Sequence, residues 1–234
     1  MRRPWVVRMR WLDLLFAHWS IDPDVLRARL PRIDGLELDL FEGRAWLGVV
    51  PFTMADVAPR GLPAVPLLRR FPEVNVRTYV RYRNLAGIWF LSLDATSQLM
   101  VLGGRNAFHV PYHRAEMRAR RDGEAVTFES ARLGAAPDAA RFRATYVPTG
   151  PVALARAGSF EAWSTDRLRV FAIDGADRLW RTEIVHGPWP LRPAEADISA
   201  TGLVQAAGLT LPDEAPRLSF SSGIDVRGWW PTRA

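Results

Sequence analysis

FPEVNVRTYV, residues Phe71–Val80, is the most informative strand-like segment of this chain. Polar and apolar residues alternate along it, and side chains at every second position of a strand share one face. One face would carry Glu73, Asn75, Arg77 and Tyr79, and the other would carry Val74, Val76, Thr78 and Val80. The alternation therefore predicts a half-buried strand.

The polar face of this segment has two interpretations. If it faces solvent, no function follows from it, and composition alone slightly favours this interpretation. If it faces the interior of a barrel, a carboxylate, an amide, a guanidinium and a phenol converge on one cavity. Glu73 and Arg77 would then lie about 13 Å apart along the strand, where they could flank a small ligand.

The rest of the chain consists mostly of predicted strands joined by turns. Apolar alternation around short turns predicts three hairpins, over residues 36–52, 72–95 and 112–133. A helix is predicted after Asp22, which can serve as its N-cap before Pro23. The segment RPAEADISATGLVQAAGL, residues 192–209, predicts a late helix or helix pair. Residues 97–108 have helical spacing that a pair of glycines would break.

Regularly spaced strands with few helices predict an α+β domain of mainly antiparallel β structure, shaped like a barrel. The length suffices for one well-buried core, and neither a linker nor an internal repeat is present, so residues 1–234 are predicted to form a single domain. No apolar run approaches about 20 residues, so no membrane span is expected and the protein is expected to be cytoplasmic.

The chain contains neither cysteine nor lysine. Without cysteine, disulfides and thiolate chemistry are excluded, and without lysine no side-chain amine can form a Schiff base. All 31 basic residues are arginine, which gives a net charge of +6. Because these arginines are scattered rather than gathered into a basic stripe, no nucleic-acid partner is expected.

The histidines give little support to a metal site; they are His18, His109, His113 and His186. His109 and His113 are four residues apart, but Pro111 argues against a helix between them, and on a strand they would lie about 13 Å apart. We therefore predict no metal site and expect these side chains to hydrogen-bond in a cavity wall or at the surface. Since no Walker loop or dinucleotide fingerprint occurs, no cofactor is predicted.

Several long segments together resemble the bacterial YqjF-like family, domain-of-unknown-function family 2071, from about Trp5 to Trp230. They are WLDLLFAHWSIDPDVLRARLP, AWLGVVPFTM, FPEVNVRTYV, WFLSLDA, VPYHRAEM, EIVHGPWPL and AAGLTLP. The biochemical function of that family is not established. The family in turn is distantly similar to acetoacetate decarboxylase, which implies a cone-shaped β-barrel with a buried cavity and a few flanking helices.

Two segments carry the distant similarity to the decarboxylase. FPE at 71–73 resembles an aromatic-x-Glu segment whose carboxylate lines the cavity, which makes Glu73 its counterpart. GRNAFHVPYH at 104–113 resembles the segment with the two active-site lysines, and Tyr112 and His113 stand at those positions. Because tyrosine cannot condense with a ketone, Schiff-base decarboxylase activity is excluded.

The resemblance and the strand pattern together give a candidate site. Tyr112, Glu73 and His113 are candidate proton-transfer residues. Adjacent strand residues point to opposite faces, and the resemblance favours Tyr112 as the one that faces the cavity. Arg77 is the natural partner of a ligand carboxylate. The other candidate ligand-binding residues are Asn75, Tyr79, Arg105, Glu183 and His186.

Three functions agree with this site. The first is binding of a small carboxylate or carbonyl compound, and the second is a lyase, isomerase or hydratase that uses Tyr112 and Glu73 for proton transfer. The third is a structural protein with a vestigial cavity filled by aromatic side chains. The expected partner is a small molecule, and because the decarboxylase-like relatives assemble into oligomers, the resemblance favours a homo-oligomer.

Overall fold

A computed structural model describes residues 3–136 and 139–234. In this part of the chain, long strands dominate and the helices are short. The strands are β1 (Val7–Ile21), β2 (Leu36–Leu38), β3 (Ala45–Pro59), β4 (Arg70–Tyr82), β5 (Leu85–Ala95), β6 (Tyr112–Asp122), β7 (Ala125–Arg132), β8 (Arg141–Pro148), β9 (Arg169–Ile173), β10 (Leu179–His186), β11 (Leu191–Ser199), β12 (Arg217–Gly228) and β13 (Thr232–Arg233). The helices are α1 (Pro23–Arg27), α2 (Gln98–Phe108), α3 (Phe160–Thr165), α4 (Thr201–Ala206) and a 3-10 turn at Pro66–Leu68.

The strand pairings close on themselves. One ring runs β1–β3–β4–β5–β9–β10–β12 and returns to β1. A second series, β6–β7–β8–β11, connects β5 to β12 by another route. Every pairing between these strands is antiparallel except β5–β6 and β5–β9. The expected α+β class with mainly antiparallel β structure is confirmed.

Strand β4 lies between β3 and β5, where both of its faces are covered. Glu73 is opposite Phe52 and Ala95, and Arg77 is opposite Gly48 and Phe90. All residues from Glu73 to Val80 are buried. The interpretation in which the polar face of this strand meets solvent is therefore wrong, and its charged side chains point into the protein.

The two faces of β4 meet different interiors. Val74 and Val76 pack into a filled core that includes Phe128 and Phe142 from the second series of strands, and Leu203 from α4. The opposite face of β4 points into the ring that contains β9 and β10. Because a strand alternates its side chains, a single segment supplies both the apolar wall of one core and the polar wall of the other interior.

Three local predictions need correction. Residues 192–199 belong to β11, because Ala194, Ala196 and Ile198 alternate inward with period two, and only α4 is helical in the predicted late helix. β2 pairs with β4 rather than forming the predicted hairpin with β3. Helix α2 continues through its two glycines and ends at His109, whose left-handed backbone caps it.

The helix predicted after Asp22 is confirmed as α1, a short helix over Pro23–Arg27. Asp22 caps α1 by accepting a hydrogen bond from the backbone N–H of Asp24, as its position before Pro23 predicts. None of the helices in the described residues is long and apolar enough to cross a membrane.

Candidate functional site

A cavity of about 360 Å³ lies inside the ring that contains β4, β9 and β10. Its walls are mostly apolar and aromatic, with contributions from Trp11, Phe16, Phe52 and Trp189. Trp189 stacks on Trp11 with ring centroids 6.1 Å apart and meets the edge of Phe16 at 5.0 Å. The polar wall residues are Glu73, Asn75, Arg77, Tyr112 and Thr182.

Glu73 and Tyr112 form a buried hydrogen bond in the wall of this cavity. The Tyr112 hydroxyl donates to Glu73 Oε2 over 2.8 Å. The pKa of Glu73 is raised from 4.5 to about 8, mainly by burial; the hydrogen bond from Tyr112 opposes this rise, and the nearby Asp94 carboxylate adds to it. At neutral pH, Glu73 is therefore a protonated carboxyl group that can deliver a proton.

Tyr112 serves as a hydrogen-bond donor rather than a base. Burial, together with the adjacent Glu73, raises the pKa of its phenol well above 10. Arg105 donates from Nε to the backbone carbonyl oxygen of Tyr112, and Gly104 of α2 lies against the Tyr112 ring. Gly104 therefore gives the ring its space, and Arg105 fixes the start of β6 instead of lining the cavity.

Arg77 lies at the opposite end of the polar face from Glu73. Its Nε donates to the Tyr79 hydroxyl over 3.3 Å, and that hydroxyl lies 2.5 Å from His18 Nε2. Burial lowers the pKa of His18 well below 6.5, and the Arg77 and Arg217 charges lower it further, so the imidazole is neutral. The Tyr79 hydroxyl thus accepts from Arg77 and is itself hydrogen-bonded to His18, which orients the guanidinium.

The Arg77 guanidinium lacks a carboxylate partner. Among the described residues, no Asp or Glu forms an ion pair with it, and its other close neighbours are the faces of Phe16 and Tyr79. Asp39 is committed to ion pairs with Arg167 and, over 3.0 Å, with Arg81. Because Glu73 is neutral, the carboxyl group on the same face of β4 does not compensate the charge of Arg77.

A buried ion pair between Arg132 and Asp94 lies near Glu73. The sequence patterns did not identify this pair. Arg132 donates through Nε and Nη2 to the Asp94 carboxylate and through Nη2 to the Ser92 hydroxyl, at 2.7 to 3.2 Å. Asp94 is fully buried, and burial raises its pKa although Arg132 opposes this. The sequence feature that could have indicated this pair is Asp94, an acidic residue within the apolar segment WFLSLDA.

The other predicted site residues lie outside the cavity wall. His113 points away from Tyr112 on β6, where burial and the charges of Arg132 and Arg105 lower its pKa to about 4. Glu183 is exposed, because Thr182 and Ile184 are the inward residues of β10. His186 is half-buried with its ring 5.1 Å from that of Trp189.

Tyr79 reaches the cavity only through Arg77. Its ring packs against Trp163 of α3, with centroids 4.5 Å apart, in a cluster that also contains Trp46 and Phe160. The residues that the structure brings together are therefore Glu73, Asn75, Arg77 and Tyr112. In the described parts of the chain, no group of three or more His, Asp or Glu side chains could hold a metal ion.

Comparison with known proteins supports the resemblance read from the sequence. The model of the DUF2071 family, described as an uncharacterized conserved protein, matches residues 8–225. Over 229 residues the chain is 41% identical to the uncharacterized protein YqjF of Bacillus subtilis strain 168, covering 98% of this chain and 92% of that protein.

Solved structures confirm the acetoacetate-decarboxylase-like fold. An acetoacetate decarboxylase-like enzyme from Sphingomonas wittichii RW1 superimposes with a TM-score of 0.67 at 16% identity, over 99% of this chain and 94% of that one. The enduracididine biosynthesis enzyme MppR, in complex with pyruvate, superimposes with a TM-score of 0.68 at 11% identity, over 100% of this chain and 91% of that one.

The close contact between Gly104 and the Tyr112 ring allows the packing of the cavity wall to be tested by substitution. In Gly104→Ala the new methyl group would overlap Cδ2 and Cε2 of the Tyr112 ring. We expect this variant to lose about 1–3 kcal/mol of unfolding free energy, because the core must shift to relieve the overlap. Gly103→Ala is the matched control, because its methyl group would meet nothing within 4 Å. The control should gain up to about 1 kcal/mol in chemical denaturation. Equal midpoints for the two variants would contradict this packing.

The raised pKa of Glu73 predicts a pH-dependent stability. Between about pH 4.5 and 8 the folded protein holds a proton on Glu73 that the unfolded chain has released. Stability is therefore lost as pH rises through this window and is constant with respect to this group outside it. Glu73→Gln removes the effect, so the wild-type unfolding free energy should fall relative to the variant by on the order of a few kcal/mol across the window. Denaturation curves measured from pH 4 to 9 test this, and parallel pH profiles would exclude a neutral Glu73.

Proposed function

The chain belongs to the DUF2071 family, and we propose that it binds a small, largely apolar carboxylic acid or related carbonyl compound in the cavity of the β4 ring. The ligand carboxylate lies against Arg77, and the apolar body lies among the aromatic walls. Binding does not use a lysine Schiff base, because the chain contains no lysine.

The buried guanidinium of Arg77, which forms no ion pair with any described carboxylate, is the observation that carries this proposal. A buried charge without a partner is costly, and proteins retain one where a ligand compensates it. Arginine presents parallel N–H donors that match the two oxygens of a carboxylate. The Tyr79–His18 pair already occupies Arg77 Nε, which leaves the terminal nitrogens for a ligand.

The size and walls of the cavity support a ligand with an apolar body. About 360 Å³ falls within the range of small-molecule sites, which combine apolar walls with a few polar groups that orient the ligand. The pyruvate bound by MppR is itself a small oxo carboxylate, in a protein of the same fold. The open volume beside Glu73 also argues against a vestigial cavity filled by aromatic side chains.

The Tyr112–Glu73 pair favours a second candidate, an enzyme of lyase, isomerase or hydratase type. Glu73 carries a proton at neutral pH and lines the same cavity as Arg77. As a carboxylate it could remove a proton from the carbon next to the ligand carbonyl, and as a carboxyl group it could return the proton. Tyr112 would donate to the oxygen that gains negative charge.

Substitution of Arg77 tests the binding proposal. Arg77→Met should weaken binding of the probe 4-phenylbutanoate about tenfold to a hundredfold, because it removes charge-assisted hydrogen bonds. Arg118→Met is the control, since it makes the same change in net charge at an exposed position of β6. Isothermal titration calorimetry gives both dissociation constants. Equal affinity in the two variants would place the carboxylate elsewhere.

Isotope exchange tests the enzymatic candidate. In D2O the protein should replace the hydrogens on C3 of 2-oxo-4-phenylbutanoate with deuterium, because Glu73 removes a proton and returns a deuteron after exchange with solvent. The rate should rise with pH and level off above about 8, where Glu73 is ionised. Proton NMR follows the loss of the C3 signal. If the wild-type protein exchanges these hydrogens no faster than Glu73→Gln does, the enzymatic candidate is wrong and binding remains the proposed function.

A further inference from the structure

The cavity reaches the protein surface beside Trp230. This side chain lines the cavity and yet is 58% exposed, and its ring stacks on Phe108 of α2 with centroids 5.7 Å apart. Pro59, the last residue of β3, and Val65 also line the cavity, and Pro59 is exposed as well. The mouth of the cavity is therefore formed by the segment between β3 and β4, by α2 and by the residues that follow β12.

Large apolar side chains on these three segments point to solvent. Leu67 is 79% exposed, although the next residue, Leu68, is buried and lines the cavity. On α2, Met100 and Gly104 line the cavity, while two leucines lie on the exposed side of the helix. We call the exposed set the mouth surface, and it consists of Leu62, Leu67, Leu99, Leu102 and Trp230. Exposed apolar residues that gather around one opening indicate contact with an apolar partner.

The segments that carry the mouth surface are also basic. Residues 59–70, 98–108 and 227–234 contain no Asp or Glu, and their charged residues are Arg60, Arg69, Arg70, Arg105, Arg227 and Arg233. In the described part of the chain, Arg70 is the one member of this set that forms an ion pair with a carboxylate, that of Asp13 over 3.6 Å. The partner of the mouth surface should therefore combine apolar groups with negative charge.

We propose that the mouth surface docks onto the surface of an anionic lipid membrane. The leucines and Trp230 enter the boundary between headgroups and acyl chains, and the arginines contact the lipid phosphates. An apolar ligand dissolved in the bilayer can then enter the cavity without crossing water. The inference goes beyond the proposed function and does not rest on it, because it uses neither Arg77 nor a ligand carboxylate.

A second copy of the chain suits this surface less well than lipid does. A two-fold symmetric contact would place the same patch of both copies against each other. The arginines around the two mouths would then approach one another without an acidic residue from these segments, and like charges repel. Anionic lipid supplies the opposite charge, and the long arginine side chain can keep its charge at the headgroups while its stem lies against apolar groups.

Flotation with lipid vesicles tests the proposal on the wild-type protein without added ligand. One set of vesicles contains phosphatidylcholine and phosphatidylglycerol in roughly equal amounts, and the other contains phosphatidylcholine alone. We expect the partition coefficient to be about tenfold or more higher on the anionic vesicles, because each arginine near such a surface contributes about fivefold. High salt should weaken this binding, because it screens the attraction.

Substitutions at exposed positions locate the docking face. Leu67→Asp should lower partition onto anionic vesicles about tenfold or more, because it replaces an inserted apolar side chain with a negative charge. Leu133→Asp is the matched control, since it makes the same change at an exposed leucine just after β7, in the second series of strands. Arg69→Gln should lower partition about fivefold, and Arg118→Gln on β6 is its control. Circular dichroism establishes that each variant is folded.

The outcomes either support the membrane surface or overturn it. Wild-type protein that stays off the anionic vesicles, or binds both kinds of vesicle equally, would overturn the proposal. Equal partition of Leu67→Asp and Leu133→Asp would place the docking face elsewhere. A dimer seen by light scattering that Leu67→Asp dissociates would assign the mouth surface to a second copy instead of lipid. None of these results bears on the carboxylate site, which calorimetry of Arg77→Met tests separately.

Discussion

Arg77 carries a positive charge in the wall of an apolar cavity, and none of the described carboxylates forms an ion pair with it; the rest of the site is arranged around this charge. Tyr79 and His18 orient the guanidinium through a chain of hydrogen bonds that ends on a neutral imidazole. Asp39, which lies near the neighbouring Arg167, is held in ion pairs with Arg167 and Arg81. Glu73 cannot compensate the charge because burial keeps it protonated. The proposed carboxylate site rests on this arrangement of charges.

The fold makes this arrangement possible because β4 belongs to two closed interiors at once. Its valines complete a core filled by residues of β7, β8 and α4, and this packing supplies the stability of the domain. Its polar residues, on the other face, line a cavity that the aromatic walls leave open. The favourable packing of this core thus offsets the free-energy cost of burying Glu73, Asn75 and Arg77, as is usual for functional sites.

Alternation in FPEVNVRTYV was sufficient to predict β4 and the residues that share its polar face, and the resemblance predicted that Glu73 and Tyr112 share a cavity. The sequence could not show which interior that face meets, since ring closure depends on pairings between distant segments such as β5 and β9. The sequence also could not show that Glu183 points outward, because this depends on the register of β10 against β9. Residues 192–199 looked helical because Ala and Glu favour helices, yet tertiary packing selected a strand.

The most direct test of the account is a crystal structure of the protein with 4-(4-bromophenyl)butanoate, in which anomalous scattering locates the bromine and electron density locates the carboxylate. The carboxylate oxygens should lie within hydrogen-bonding distance of the Arg77 guanidinium, and the bromine should lie among the apolar walls toward Met9 and Trp11. A carboxylate at the surface, or an acid bound in the reverse direction with its bromine against Arg77, would contradict the account.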